Sequence, residues 1–427
     1  MKKHPKIPKC KKSVLPNGIR ILTDRVREMR SVSTGILVRA GSGNEREDEC
    51  GISHFVEHMM FKGTPTRNAF QIAKELDAVG GRINAATGKE STLYYSVILD
   101  EHVDIALSVL TDIFLNSLFD PKEIELERGV ILEEIKMYED TPEELIHDLF
   151  AETILGGHPI GRPTIGRIDT VKSLSRQMMI DFNRRLYTPE NIIIAVAGNI
   201  EHDEVVGKFE PLFEALKKGE GPAKPLLPEI KKAIRIKRKK TEQVHICLGT
   251  KAVSQLDKAR YAFLTMDNIL GGSMSSRLFQ EIREKRGLAY SIYSSASPFT
   301  NFGIWDVSSG TSMKNYKEVI DLILREFSKI KKEGVTEEEL GRAKEYVKGS
   351  LVLGLESTSS RMSWVSRSEF YYGRIMTIDE VFSKVDKVTR DDIIRLANEY
   401  LKDEYLALTM IGDFKEGEEG VKELRLE

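Results

Sequence analysis

The chain has 427 residues, 41% hydrophobic and 30% charged, too long for one ordinary core and suited to two or more domains. Its 64 basic and 66 acidic side chains nearly cancel, which excludes a global field that gathers nucleic acid or a membrane surface. Cys10, Cys50 and Cys247 lie far apart without paired spacing, so neither a disulfide framework nor a thiolate cage is expected.

The basic N-terminus runs into no apolar segment, and no later stretch approaches the length of a membrane span. A cytoplasmic protein is expected.

In chain order, "SVLPNGIRILTD" (13–24) reads as a strand beginning after a Pro-Asn-Gly turn, and "SVSTGILVRAGSG" (31–43) as a second. Residues 51–61 have helical periodicity. "AFQIAKELDAVGG" (69–81) is an amphipathic helix stopped by two glycines, and "RINAATGKESTLYYSVIL" (82–99) a strand pair. Two long helices follow. The second opens at Asp120, a helix cap, with Pro121 in the first turn. "NIIIAVAGN" (191–199) is the last strand of this half.

The Pro-, Gly- and Lys-rich stretch 219–240 reads as a linker, a solvated connector rather than an anion site. Beyond it the plan repeats. Residues 69–90 align without gaps with 278–299, and 335–351 has a counterpart in the helix after Asp120. We therefore expect an α+β protein built as a pseudo-repeat of two similar domains, 1–218 and 241–427. Each has a mixed or antiparallel sheet with helices packed on one face. At the same offset His54, Glu57 and His58 fall opposite Phe263, Met266 and Asp267, so only the first half can carry their chemistry.

That chemistry is the stretch "GISHFVEHMMFKGT" (51–64). On a helix, His54 and His58 are one turn apart and project side by side, as two imidazoles on one tetrahedral ion require. Glu57 sits beside them, close enough to reach water at such an ion. A catalytic zinc needs a third protein ligand and an open position. The helix "ELERGVILEEIKMYE" offers Glu127 and Glu134, seven apart on one face, with Val130, Ile131 and Ile135 available for burial. Spacing alone does not choose between the two glutamates.

These motifs, together with "LPNGIRIL", "NAATGKESTLYY", "HPIGRPTIG" and "YTPENIIIAVAGNI", resemble the pitrilysin family of zinc metallopeptidases over nearly the whole chain. The nearest branch is that of short, processing-peptidase-like chains. The resemblance implies one zinc per chain held by His54, His58 and Glu134, with Glu57 as general base and Glu127 positioning the site. It places Asn84, Ala85 and Ala86 on a sheet edge to which a peptide substrate adds as a strand. It makes Arg283 and Tyr290 a substrate-binding pair in the second domain. It also implies a homodimer in which that domain of one subunit faces the zinc site of the other, forming a closed chamber. The expected activity is zinc-dependent endoproteolysis, with no nucleic acid or membrane partner. The alternative is a non-catalytic scaffold or partner subunit of a processing-peptidase-like complex.

Overall fold

The computed structural model describes residues 10–219, 227–415, 420, 421 and 423–426. Part of the expected linker lies outside these residues.

The first sheet has six strands: β1 (Lys11–Val14), β2 (Arg20–Arg25), β3 (Ser31–Val38), β4 (Arg82–Thr87), β5 (Thr92–Leu99) and β6 (Ile192–Gly198). Their spatial order is β1-β2-β6-β3-β5-β4. β1 is an element the sequence did not announce: residues on both sides of the Pro-Asn-Gly turn form a hairpin, with Lys11 opposite Thr23. Strand composition tracks position. β6, "IIIAVAG", is buried throughout, as a central strand covered on both faces must be, whereas β4 alternates exposed and half-buried residues at the sheet edge.

Alternate residues of the central strands serve two cores. Ile36, Val38, Ile194 and Val196 join one layer with Phe55 of helix α1 (Ile52–Met60), Leu76 of α2 (Ala69–Asp77), Ile113 of α3 (Val103–Asn116) and Ile131 of α4 (Pro121–Glu139). Leu37, Ile193, Ala195 and Ala197 face the other way, onto Met362, Val365 and Phe370 of the helix Thr358–Tyr372. Gly35 makes that approach possible, because a Cβ there would lie 2.4 Å from the Met362 sulfur.

The second sheet comprises β7 (Ala233–Arg238), β8 (Val244–Ala252), β9 (Ala289–Pro298), β10 (Gly303–Thr311) and β11 (Ala407–Gly412), in the order β7-β11-β8-β10-β9. Replacing β7, β11, β8, β10 and β9 by β2, β6, β3, β5 and β4 reproduces the first sheet without β1. The same single parallel pair occurs in each, β2 with β6 and β7 with β11. The pseudo-repeat is therefore real. Strand β7 lies within the stretch 219–240 that reads as linker; its alternating "AIRIKR" forms an edge strand. Helix α5 (Pro142–Leu155) covers β8 and β11, and Gly249 leaves room for Phe150, whose ring tip lies 2.8 Å from where its Cβ would be.

The compact units do not follow the expected cut near residue 219. One consists of Met1–Lys136, Arg162–Lys224 and Val352–Ile378; the other of Met137–Gly161, Pro225–Leu351 and Asp379–Glu427. Each half of the sequence contributes one helical segment to the unit built on the other half's sheet. Among the described residues no single helix is long and apolar enough to cross a membrane.

Candidate metal centre

Helix α1 presents Ile52, Phe55, Val56, Met59 and Met60 to the core, leaving His54, Glu57 and His58 half-buried on its remaining face. Its start is held by a buried acid. Glu45 accepts hydrogen bonds from the amides of Gly51 and Ser53 at 2.9 and 2.8 Å, capping the helix where its amides lack partners.

Helix α4 begins as expected, with Asp120 accepting from the Lys122 amide at 2.8 Å. It buries Ile124, Glu127, Ile131 and Ile135. Val130, expected to bury, is 44% exposed, because it lies one residue away from the inward stripe. Glu133 points to solvent and pairs with Lys136 at 2.6 Å.

The two helices bring His54, His58 and Glu134 together, with one ligand-capable atom of each within 4.8 Å of the others. The His54 and His58 ring centroids are 4.5 Å apart, and His58 Nε2 lies 3.9 Å from the Glu134 carboxylate. The other nitrogen of His58, Nδ1, is 3.0 Å from Glu127. Donating Nδ1–H to Glu127 leaves the Nε2 lone pair free towards Glu134, the tautomer a metal-binding histidine takes. Lys62 closes the array with its ammonium 2.5 Å from the second Glu127 oxygen.

The donor set fits a zinc ion. Zinc bond lengths of about 2.0 to 2.2 Å to nitrogen and oxygen place tetrahedral ligands about 3.4 Å apart, about 0.5 Å closer than His58 Nε2 and Glu134 are here. Burial, and then the neighbouring His58, push His54 down to about 4, so it is neutral at neutral pH, the form that coordinates. Its Nδ1 is buried with no hydrogen-bond partner among the described residues. The Glu127 carboxyl would be raised by burial, but Lys62 and His58 outweigh that and hold it below the usual carboxylate range.

Glu57 is raised by burial, opposed by a short hydrogen bond from the Thr87 hydroxyl. Thr87 ends β4, the outermost strand, so the edge strand touches the proposed base directly. Along β4, Asn84 and Ala86 are exposed while Ala85 packs partly into the core. Arg283 and Tyr290 belong to the other unit. Arg283 lies in the last turn of a π-helical segment, Phe279–Glu284, and stacks its guanidinium 4.7 Å from the Phe279 ring and 5.4 Å from that of Tyr290. Tyr290, at the start of edge strand β9, is 80% exposed.

Sequence reasoning missed Glu45, Lys62 and Thr87. Lys62 follows His58 at helical spacing, a readable signal. Thr87 acts across thirty residues, which leaves none, and Glu45 reaches the amides six and eight residues on through a loop that no periodic pattern marks.

Comparison with known proteins places the chain in a family. Residues 20–167 match the description Insulinase (Peptidase family M16), and residues 173–347 match Peptidase M16 inactive domain. A Bacillus subtilis protein named as an uncharacterized zinc protease is 40% identical over 94% of this chain and 98% of its own length. A Streptomyces coelicolor protein of the same description is 39% identical over 95% of this chain and 90% of its own. In fold, a Pseudomonas fluorescens structure titled as a peptidase M16 inactive domain superposes with a TM-score of 0.89 at 20% identity, covering 95% of this chain and 99% of that one. A Helicobacter pylori structure titled as a protease gives 0.87 at 23% identity, covering 95% and 100%. With family models matching residues 20–167 and 173–347, and relatives named as zinc proteases aligning over 90% or more of both chains, the chain belongs to peptidase family M16.

Proposed function

We propose that the protein is a zinc-dependent endopeptidase acting on peptides or unfolded segments, with one zinc per chain held by His54, His58 and Glu134. The observation that carries this is the convergence of two imidazoles and one carboxylate from separate helices, with Glu57 beside them. Zinc, when bound, polarises a scissile carbonyl and lowers the pKa of water towards neutrality. Glu57 accepts the proton released by the attacking water and returns it to the departing amine. Its raised pKa suits both steps, and the Thr87 hydroxyl holds its carboxylate in place. Glu127 fixes the His58 ring and is itself fixed by Lys62.

The substrate adds to the free edge of β4 beside Asn84, Ala85 and Ala86, gaining main-chain affinity with little sequence preference. Arg283 and Tyr290 supply donors for peptide carbonyls and a developing oxyanion. In this reading they come from the partner subunit of a homodimer that closes a chamber around the peptide. A non-catalytic scaffold role has its support in the inactive-domain title of the Pseudomonas structure. The complete His-x-x-Glu-His set with both glutamates favours catalysis in this chain.

The test is cleavage of an unstructured peptide, abolished by chelator and restored by zinc. Glu57→Gln should keep its zinc and lose about 100-fold to 10,000-fold in turnover, the usual contribution of general acid–base catalysis. Cleavage at the parent rate by Glu57→Gln overturns the reading.

A further inference from the structure

The unit built on the second sheet has no His–Glu–His triad, yet it holds a separate cluster of metal-ligating side chains. His147 on α5, Cys247 on β8 and Asp306 on β10 bring one ligand-capable atom each to within 4.8 Å of the others. Strand register explains the meeting. Cys247 is paired with Ser308, so the two share a face, and Asp306, two residues earlier, shares it as well. Tyr293 of β9 pairs with Ser308 from the other side and extends the row. Helix α5 packs over β8 and sets His147 above it.

The separations suit coordination. Cys247 Sγ is 3.1 Å from Asp306 Oδ2 and 3.8 Å from His147 Nδ1, and Nδ1 is 3.9 Å from Oδ2. Zinc at about 2.3 Å from sulfur and about 2.0 to 2.2 Å from nitrogen and oxygen sets tetrahedral edges of about 3.4 to 3.6 Å. The three edges here bracket those values. The surrounding hydrogen bonds also match what ligands need. His147 Nε2 lies 3.0 Å from the Tyr293 hydroxyl. Donation from Nε2–H to that oxygen leaves Nδ1 as the ring's lone pair, directed at Cys247 and Asp306. The Ser308 hydroxyl donates to Asp306 Oδ2 at 2.9 Å and lies 3.0 Å from the sulfur.

Charge and burial point the same way. Cys247 and Asp306 are 0% and 6% exposed, whereas the His147 side chain is 37% exposed and offers an entry path. A dication held by one thiolate, one carboxylate and a neutral imidazole is a neutral group, the form that tolerates such burial. A nucleophilic role for the thiol fits poorly. Cys247 is sealed from solvent, and burial with the adjacent Asp306 pushes it well above the ordinary thiol range.

We propose that His147, Cys247 and Asp306 form a second zinc site, binding through Nδ1, Sγ and a carboxylate oxygen, with water at the fourth position. Binding replaces the S–H bond of Cys247 by a sulfur–zinc bond, and the proton leaves to solvent past His147. This site is independent of the proteolytic one and uses different elements.

Sulfur distinguishes them, because the His54–His58–Glu134 set contains none. In full-length His58→Ala protein, which lacks a first-site ligand, cobalt(II) serves as the spectroscopic stand-in for zinc. We expect a sulfur-to-cobalt charge-transfer band in the near ultraviolet that saturates at one equivalent and is displaced by zinc. Adding Cys247→Ser should abolish it. Adding Asp306→Asn, which preserves shape and thiol, should weaken zinc binding about tenfold or more and remove the zinc-induced rise in melting temperature. No band in folded His58→Ala protein overturns the site. So does a band that survives Cys247→Ser, since the thiolate would then be Cys10 or Cys50. If Cys247→Ser does not fold, the Asp306→Asn variant decides, and zinc affinity equal to that of its His58→Ala parent overturns the proposal.

Discussion

Replacing Glu127 separates a positioning role from direct coordination. Glu127 is 6% exposed, lies 3.0 Å from His58 Nδ1 and holds Lys62 at 2.5 Å. Losing a carboxylate behind a metal-binding histidine costs about 10-fold to 100-fold in metal affinity, or about 1.4 to 2.7 kcal/mol. Where a variant falls in that range follows from what remains. Glu127→Gln keeps an oxygen that accepts from Nδ1–H. Because Lys62 already offsets part of the carboxylate's charge, the amide should cost about tenfold. Glu127→Ala leaves Nδ1–H without its acceptor and the Lys62 ammonium without its counter-ion, and should approach a hundredfold. The assay is competition for zinc against a chelator of known affinity at fixed pH, beside turnover per bound zinc. Turnover per zinc should stay within about twofold of the parent, since neither variant touches Glu57. The reasoning fails if Glu127→Ala binds zinc as tightly as the parent, or no more weakly than Glu127→Gln.

Other expectations follow from neighbouring contacts. Thr87→Val removes a donor that stabilises ionised Glu57. The acid limb of the kcat/KM profile should therefore move to higher pH, with zinc content unchanged. Burial raises Glu45 to about 7 despite the Gly51 and Ser53 amides. Its folded pKa thus exceeds the unfolded value of about 4.3, and its stabilisation is complete below that value and lost as pH rises through about 7. Chemical-unfolding midpoints should fall between about pH 5 and about pH 8, and Glu45→Gln should flatten the slope. Finally, mixing Glu57→Gln with Arg283→Ala tests shared sites. If each subunit completes its partner's site, free exchange puts half the dimers in mixed form, each with one intact site. Activity should then recover to about a quarter of the parent's; no recovery refutes the arrangement.

The helical spacing of His54, Glu57 and His58 was legible because all three share one short helix, where periodicity fixes direction. The choice between Glu127 and Glu134 was not legible from period alone. Both lie on one face of α4, and their roles diverge only because His58 offers a different nitrogen to each. Resemblance to the family supplied that choice. Thr87 was invisible for another reason: its contact with Glu57 depends on how an edge strand meets a helix, which no local pattern encodes. The sheets themselves were readable from strand composition and from the repeat. The destination of α5 was not, since an amphipathic helix announces a buried face without naming the surface that buries it.

Because Met137–Gly161 and Val352–Ile378 each complete a unit founded on the opposite half of the sequence, the polypeptide cannot mature from one end to the other. While it is being synthesised, Leu22, Leu37 and Ile193 stay without their cover until Met362, Val365 and Phe370 have left the ribosome. Severing the gene near residue 219 should yield two sticky fragments rather than two domains, and only their co-production should give a protein that remains in solution.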